Sequence, residues 1–399
     1  MFEAVRPTTL PRFVLLYAAM YAGFGVASPF LPSFLSERGL SPENIGFLLS
    51  AGTAVRLLTA PLAGRIGDLI QALRIVLIIC IALAAAVTLS YLPAHGFWLL
   101  LGVSLLHAAS LAPTTVLADA LALGSALPPA SSGQRGFEYG WVRGVGSAAF
   151  ICGTLFAGQA VSALGLAVII ALQALLLGTA ALAAIPIPEL IHDRTAEAVR
   201  EPAGGVIILL RLPLFRNLIL VAALILGSHA MHDSFAVIRW SAAGITPATA
   251  SLLWSESVAA EVLVFFVIGP PLVTRLTPAG ALAVAAVAGV LRWGVVAHTA
   301  DVVALALVQP LHGITFALLH LACMRLIART VPQGLEGTAQ AIYGTVGIGA
   351  ATALLILVSG AVYARLGAQG FWVMAALCAL ALPLTWKLRQ AAFGESRIQ

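Results

Sequence analysis

Ionisable side chains occur inside long apolar stretches of this sequence, where charge is energetically costly. A charged group at the centre of a bilayer costs at least about 2.5–3.5 kcal/mol. Such groups are therefore expected to pair with each other, or to face water or a bound solute. Arginine binds carboxylates and hydroxyls, whereas buried carboxylates and histidines can gain and lose protons. The embedded ionisable residues are Arg56, His107, Asp119, Arg143, His229, His232, Asp233, Glu256, Glu261, Arg292, His312 and His320.

Asp119 and Arg143 form the first candidate pair. At a rise of about 1.5 Å per residue, both are expected a similar distance from the cytoplasmic end of their helices. One interpretation is a structural salt bridge. The other is a gate or a substrate-binding pair, in which Arg143 is offered to a carboxylate or a hydroxyl.

A second candidate cluster lies in the second half of the chain, where Glu261, Arg292, His312 and His229 are expected at comparable depths. A carboxylate near an arginine can change partners as it gains or loses a proton. The pattern therefore predicts that Glu261 carries a proton with His312, although a purely structural pair is the alternative. Arg56 occupies the position that corresponds to Glu261, 205 residues earlier. Our hypothesis is that these two residues face each other and help to close a cavity.

Aromatic side chains accompany these charges. His312, Phe316 and His320 follow each other at intervals of four residues and share one helix face, so His320 joins the predicted proton-coupling group. Tyr21, Trp293 and Phe316 are candidates for the wall of an apolar pocket. An arginine beside aromatic walls suits an organic anion that carries a ring.

A metal site is the less favoured interpretation of His229, His232 and Asp233. These residues also share a helix face, but no further cluster of ligands supports them. The four cysteines lie in apolar runs without paired or metal-ligand spacing. We therefore expect no metal and no organic cofactor, with protons as the coupling ion.

The amino-acid composition indicates whether the segments that carry these ionisable residues face water or lipid. Hydrophobic residues make up 61% of the 399 positions and charged residues only 9%, and the mean hydropathy is +1.02. Soluble domains carry about 25% charged residues, so this surface must face lipid. The net charge of +5 does not indicate a nucleic-acid-binding protein, because the basic residues are not clustered.

Twelve spans are predicted, at 12–36, 42–64, 73–92, 97–123, 137–160, 166–186, 214–236, 248–270, 279–298, 302–328, 339–363 and 369–388.

Two sequence patterns organise these spans. Short matches at offsets of 205 or 210 residues pair the two halves, for example Gly39-Leu40-Ser41-Pro42 with Gly244-Ile245-Thr246-Pro247. They predict two pseudo-symmetric six-helix bundles, 1–186 and 214–399, joined by a cytoplasmic loop at 187–213. With both termini in the cytoplasm, 15 of the 21 basic residues lie at the cytoplasmic side and three outside, as the positive-inside rule requires. No cleavable signal peptide is expected.

The chain resembles the major facilitator superfamily, in its lactose-permease-like branch. The main motif is Phe137-Glu138-Tyr139-Gly140-x-Val142-Arg143-x-x-Gly146-Ser147, which looks like the span-five signature of that branch. The chain is most similar to the 3-phenylpropionate permease-type group. The stretches that carry this similarity include Gly39-Leu40-Ser41-Pro42-Glu43-x-Ile45-Gly46, Arg56, Asp119-Ala120-Leu121-Ala122, Ala260-Glu261-Val262, Arg292-Trp293-Gly294, Leu311-His312-Gly313-x-Thr315-Phe316, His320-Leu321-Ala322 and Gly370-Phe371-Trp372-Val373-Met374-Ala375.

This resemblance implies an all-α major facilitator fold and proton-coupled uptake of an aromatic carboxylate. We expect the protein to be a monomer in a bacterial inner membrane. Where lactose permease has an acidic residue three positions after the span-ten histidine, this chain has Thr315, so that proton route does not transfer. A sugar or nucleoside symporter and an exporter are the alternatives within transport. A membrane enzyme or receptor is the remote one, because no convincing nucleophile–base pair is found.

Overall fold

The structure is a computed structural model that describes residues 9–126, 136–189 and 204–395, with side chains to residue 390. Within these ranges the chain forms helices and turns and contains no strand. Most of the predicted central loop at 187–213 lies outside the described residues. The same is true of five basic residues that contributed to the predicted orientation, Arg6, Arg135, Arg194, Arg200 and Arg397.

Twelve helical spans occur in the described ranges, which is the predicted number. Nine apolar helical stretches are long enough to cross a membrane, and two shorter apolar helices accompany them. The last of the nine, Glu336–Gln390, is divided by a 3-10 turn at Gly367–Gly370. The spans are α1 (Leu10–Ala27), α2 (Pro42–Ile70), α3 (Leu73–Leu89), α4 (Phe97–Ala126), α5 (Tyr139–Leu164), α6 (Val168–Ala184), α7 (Pro213–Ala242), α8 (Pro247–Leu276), α9 (Pro278–His298), α10 (Val302–Thr330), α11 (336–366) and α12 (Phe371–Glu395).

The sequence repeat before α2 and α8 corresponds to one local structure. Gly39 and Gly244 both adopt positive φ, at 83° and 84°, a conformation that glycine tolerates best. The side chains of Ser41 and Thr246 then accept a hydrogen bond from the backbone N–H three residues further on, at 3.3 and 3.2 Å. A proline follows each cap at the first helical position, as helix starts favour. The two halves therefore use the same device to start the same helix.

Several helices of the second half depart from regular α geometry. The helical hydrogen bonding of α7 is interrupted at Ser228 and His229, and that of α10 at Gln309 and Pro310. The π-helical segments are Val264–Ile268 in α8, Ile314–Leu318 in α10 and Tyr343–Ala350 in α11. Insertions of this type are frequent at functional sites.

The chain divides into two compact units. The N-terminal unit comprises residues 1–39 and 54–196, and the C-terminal unit comprises residues 40–53 and 197–399. The first turns of α2 therefore pack within the C-terminal unit, where a Cβ on Gly46 would lie 2.7 Å from the Cα of Gly360. The bundle boundaries at residues 186 and 214 stay a prediction.

Candidate functional site

Asp119 lies at the centre of a polar cluster in the N-terminal unit. Its Oδ1 accepts hydrogen bonds from the hydroxyl of Tyr17 on α1 and, at 2.8 Å, from that of Tyr139 on α5. Its Oδ2 lies 3.6 Å from Nη1 of Arg143, one turn after Tyr139. Arg143 in turn donates to the Tyr21 hydroxyl at 2.5 Å. The structure therefore contains the Asp119–Arg143 ion pair, held by tyrosines from two helices.

The side chain of Arg143 remains partly exposed within this cluster. Its side chain is 42% exposed and that of Asp119 is 32% exposed. The guanidinium lies 5.5 Å from the centre of the Tyr21 ring, whose other neighbours include Phe24 at 5.3 Å. Gly146 permits this arrangement, because a Cβ there would lie 3.3 Å from the Tyr21 ring. The cluster thus combines a cation, a carboxylate and aromatic walls.

Arg56 lies apart from that cluster. It is an exposed residue on α2, fourteen residues from each end of the helix. His107 on α4 is close enough to Arg56 for an electrostatic interaction. His107 itself is 6% exposed and packs edge-on against Tyr91, with ring centres 5.7 Å apart.

Arg292 on α9 is the centre of the cluster in the C-terminal unit. Its residue is 0% exposed, so a guanidinium that stays charged is fully enclosed. Nη1 donates to Nδ1 of His312 at 3.1 Å. Arginine has no acceptor, so this bond places the ring proton of neutral His312 on Nε2, which then donates to Oε2 of Glu261 at 3.3 Å.

A second arm leaves the other side of the same guanidinium. Nη2 of Arg292 donates to Oε1 of Gln309 at 3.1 Å, and the Gln309 amide lies 3.4 Å from Nε2 of His232. Nδ1 of His232 then lies 3.4 Å from Oδ1 of Asp233. Donors therefore point outward from the arginine along both arms, and each arm ends in a carboxylate. Their side chains are 27% exposed for Glu261 and 51% for Asp233.

Aromatic rings surround this chain of hydrogen bonds. The Arg292 guanidinium lies 4.5 Å from the ring centre of Trp293. His229 lies 5.0 Å from His312 and 5.4 Å from Trp293, ring centre to ring centre. Phe316 stacks on His312 at 5.5 Å. Four predicted groups, Glu261, Arg292, His312 and His229, are thus brought together with Trp293 and Phe316.

His320 belongs to a neighbouring group of side chains. Its Nδ1 lies 3.1 Å from the hydroxyl of Tyr343, and its ring packs edge-on against Phe265 at 5.8 Å. Glu261 is close enough to act on it electrostatically. His320 therefore lies beside the Glu261 end of the chain, without a hydrogen bond to it.

The residues considered for a metal have other partners. Nε2 of His229 lies 2.9 Å from the hydroxyl of Thr315, and His232 is engaged by Asp233 and Gln309. In the described ranges, no group of three or more His, Cys, Asp or Glu side chains is placed to hold a metal ion.

Sequence reasoning missed four members of these clusters. Tyr17 and Tyr139 precede Tyr21 and Arg143 by four residues, so helical spacing could have identified them. Gln309 precedes His312 by three residues in an apolar run, which is the same kind of signal. No sequence signal connects Tyr343 with His320, because these residues lie on different helices. The missed residues are Tyr17, Tyr139, Gln309 and Tyr343.

Comparison with known proteins identifies relatives over most of the chain. Residues 10–374 match the MFS_1 like family. The chain is 35% identical over 370 residues to a probable 3-phenylpropionic acid transporter of Escherichia coli (strain K12), covering 90% of this chain and 92% of the relative. It is 25% identical over 398 residues to the maltose permease of Geobacillus stearothermophilus, covering 99% and 98% of the two chains.

Solved structures share the same fold. A mutant of the nucleoside transporter NupG superposes with a TM-score of 0.84 at 16% identity, over 95% of this chain and 99% of that one. The human organic anion transporter MFSD10 superposes with a TM-score of 0.60 at 18% identity, over 94% and 98%. These relatives are transporters and not enzymes. The chain therefore belongs to the MFS_1 like family and is a multi-pass secondary transporter of the major facilitator type.

Proposed function

We propose that this transporter carries a small aromatic carboxylate into the cell together with a proton, by alternating access. The observation that carries the proposal is the chain of hydrogen bonds around Arg292, which ends at Glu261 through His312. The probable 3-phenylpropionic acid transporter at 35% identity supports an aromatic acid as substrate. A protein that moves an organic anion toward a negative interior needs compensating charge, and a proton supplies it.

Glu261 is the proposed proton carrier. Its Oε2 is attracted to the Nε2 of His312 at 3.3 Å, and the other ring nitrogen of His312 accepts a hydrogen bond from Arg292. Protonation removes that attraction and leaves His312 free to turn toward another acceptor. The 27% exposure of the Glu261 side chain allows the proton to arrive from water. His229 and His320, which flank the pair, are proposed to support this exchange.

The anion is proposed to bind beside an intramembrane arginine and aromatic rings. The three candidates are Arg56, Arg143 and Arg292, and rings lie within 4.5–5.5 Å of the guanidinium groups of the latter two. Tyr21 beside Arg143, and Trp293 and Phe316 near Arg292, are proposed as aromatic contacts for the ring of the substrate, each within its own unit. Asp119 would then adjust the charge of Arg143 as the substrate enters and leaves.

Transport into sealed proteoliposomes tests this function. We expect labelled 3-phenylpropionate to accumulate when the interior is made alkaline, and to equilibrate only when the pH gradient is collapsed. Glu261→Gln should abolish accumulation while permitting exchange of internal for external substrate, because glutamine resembles a carboxyl group that cannot release its proton.

Glu256→Gln is the matched control on the same helix. Glu256 lies five residues earlier, about 140° around α8, and should support accumulation like the unmodified protein. Accumulation by Glu261→Gln would remove this residue from the coupling role. Accumulation that persists without any pH gradient would contradict proton coupling itself.

A sugar symporter is the second candidate function. The maltose permease of Geobacillus stearothermophilus matches 99% of this chain at 25% identity. Uptake of labelled maltose in the same vesicles, with no uptake of 3-phenylpropionate, would favour this alternative. The higher identity to the aromatic acid transporter makes the carboxylate our first choice.

The cellular setting is part of the same proposal. We place the transporter in a bacterial inner membrane as a monomer with both termini in the cytoplasm. The distribution of basic residues supports this orientation.

A further inference from the structure

Arg56, Arg143 and Arg292, the three arginines predicted within the membrane, differ in how their charge is balanced. Arg143 lies 3.6 Å from the carboxylate of Asp119 and donates to Tyr21. Arg292 is fully enclosed and donates to His312 and Gln309, so a substrate cannot reach it without displacing neighbours. Arg56 is exposed, and within the described ranges no hydrogen bond or ion pair joins its side chain to another residue. Of these three, Arg56 is therefore the exposed arginine whose charge no carboxylate among the described residues balances.

The position of Arg56 makes this lack of a partner informative. Fourteen residues separate it from either end of α2, or about 21 Å at the rise of an α-helix. A side chain at that depth cannot reach a membrane surface, and a charge facing lipid there is costly. The ion pairs formed by carboxylates in the described part of the N-terminal unit involve Arg143 and Arg74. These carboxylates therefore do not balance the charge of Arg56, which is available to an anion from outside the unit.

His107 provides a second, independent indication of a ligand. Its residue is 6% exposed, and its Nε2 is buried without a hydrogen-bond partner. Buried polar atoms in proteins nearly always have a partner, and those that do not call for an explanation. The charge of Arg56 is close enough to act on this ring. A neutral histidine that carries its proton on Nε2 can donate one hydrogen bond to an acceptor drawn to the arginine.

We propose that Arg56 and His107 bind the carboxylate of the transported anion, Arg56 by charge and paired donors and His107 by a hydrogen bond from Nε2. The proposal rests on the proposed function, in which the substrate is an aromatic monocarboxylate. Contact with Nε2 requires a small movement of the side chains between α2 and α4, because this atom is covered. Arg143 and its tyrosines then serve the uncharged part of the substrate or the gate, since Asp119 already balances that charge.

The test compares two ligands of similar size and shape, an anionic acid and its neutral amide. Binding of 3-phenylpropionate and of its neutral amide, 3-phenylpropanamide, is measured calorimetrically with purified full-length protein at one pH. We expect the unmodified protein to prefer the acid by about tenfold or more, the range of hydrogen bonds to charged groups. Arg56→Gln should remove this preference by weakening the acid and leaving the amide within about threefold. His107→Gln should reduce the preference several-fold.

Two further variants make the result specific. Arg65→Gln removes the same charge from the same helix nine residues closer to its end and should keep the preference for the acid. If Arg56→Gln does not purify as a single folded species, Arg56→Lys replaces it. A lysine keeps the charge but loses the paired donors, so the preference should fall several-fold.

The outcomes separate this inference from the proposed function. If the unmodified protein binds the acid, and folded Arg56→Gln or Arg56→Lys keeps the full preference, the Arg56 site is overturned while the function stands. The Arg56 site is likewise overturned, and the function stands, if Arg143→Gln loses the preference for the acid and Arg56→Gln keeps it. If the unmodified protein binds neither ligand, the proposed function fails, and this site fails with it.

Discussion

At the scale of single residues, the buried arginine of the C-terminal unit shows how a charge is kept in an apolar fold. Among the described residues Arg292 contacts no carboxylate, yet its donors lead through His312 and Gln309 toward two acidic side chains. Hydrogen bonds that all point the same way polarise one another, so part of the charge is shared along both arms. One buried donor of the network, Nε of Arg292, has no hydrogen-bond partner among the described residues, so the bonds made by Nη1 and Nη2 hold the guanidinium in place.

Gln309 is the residue at which this idea is tested most directly. It is 0% exposed and connects Arg292 to His232 through both ends of its amide. Gln309→Leu keeps a similar size and removes these two bonds and the bond from the Gln309 amide to the carbonyl oxygen of Leu253, so we expect a loss of about 1–3 kcal/mol of stability. The measurement is the midpoint of thermal unfolding in detergent.

Gln369→Leu is the control for that substitution. This glutamine is exposed in the turn between α11 and α12, so its replacement should change stability by less than about 0.5 kcal/mol. Equal midpoints for the two variants would show that the Gln309 bonds contribute little to the fold.

At the scale of elements, the irregular helices gather at the C-terminal site. Glu261 lies three residues before the π-helical segment of α8, and Phe316 lies within that of α10. A π insertion rotates the following residues relative to those before it, so side chains can meet that a regular helix would separate. Gly313 adds a close approach of the two helices, since a Cβ there would lie 2.6 Å from the carbonyl oxygen of Ala260.

Gly313→Ala tests whether this approach positions the proton pair. The added methyl group would also lie 2.8 Å from the side chain of Val264, so α10 must move away from α8. We expect the bond between His312 and Glu261 to lengthen, pH-driven uptake to fall and stability to drop by about 1–3 kcal/mol.

Gly344→Ala makes the same change where no atom lies within 4 Å of the new Cβ. This variant should keep both stability and uptake. Normal pH-driven uptake by Gly313→Ala would mean that close packing of α8 and α10 is not needed for coupling.

At the scale of the whole molecule, apolar side chains cover surfaces that in a soluble protein would be polar. Leu58, Trp98 and Leu164 are 73%, 80% and 74% exposed. In lipid this exposure is favourable, and the helices satisfy their own backbone groups as a membrane requires. In the proposed orientation, most of the basic residues lie at the cytoplasmic ends of the helices.

Reporter fusions test the resulting orientation. A fluorescent protein that matures only in the cytoplasm should be bright when fused after Gln399, and dark when inserted at Gly96 or Gly244. The latter two positions lie in turns that the proposed orientation puts outside. The reverse pattern of fluorescence would invert the assignment of every loop.

How far the candidate site was predictable differs from group to group. The types and depths of Glu261, Arg292 and His312 predicted a cluster, because depth follows from counting residues along a helix. Gln309 and Tyr343 were missed, since their importance depends on which face of one helix turns toward another. Arg56 was paired with Glu261 by symmetry of sequence, and that pairing remains a hypothesis.

The sequence by itself predicted a membrane protein with twelve spans, arranged in two related halves. Those properties follow from hydropathy, length and repetition, which are read along one dimension. Only the tertiary structure decided that Asp119 pairs with Arg143, that Arg292 donates to His312 and Gln309, and that the side chain of Arg56 has no hydrogen-bond or ion-pair partner among the described residues. Partner choice depends on helix rotation and on how closely glycines such as Gly146 and Gly313 let helices approach, and these are set by packing in three dimensions.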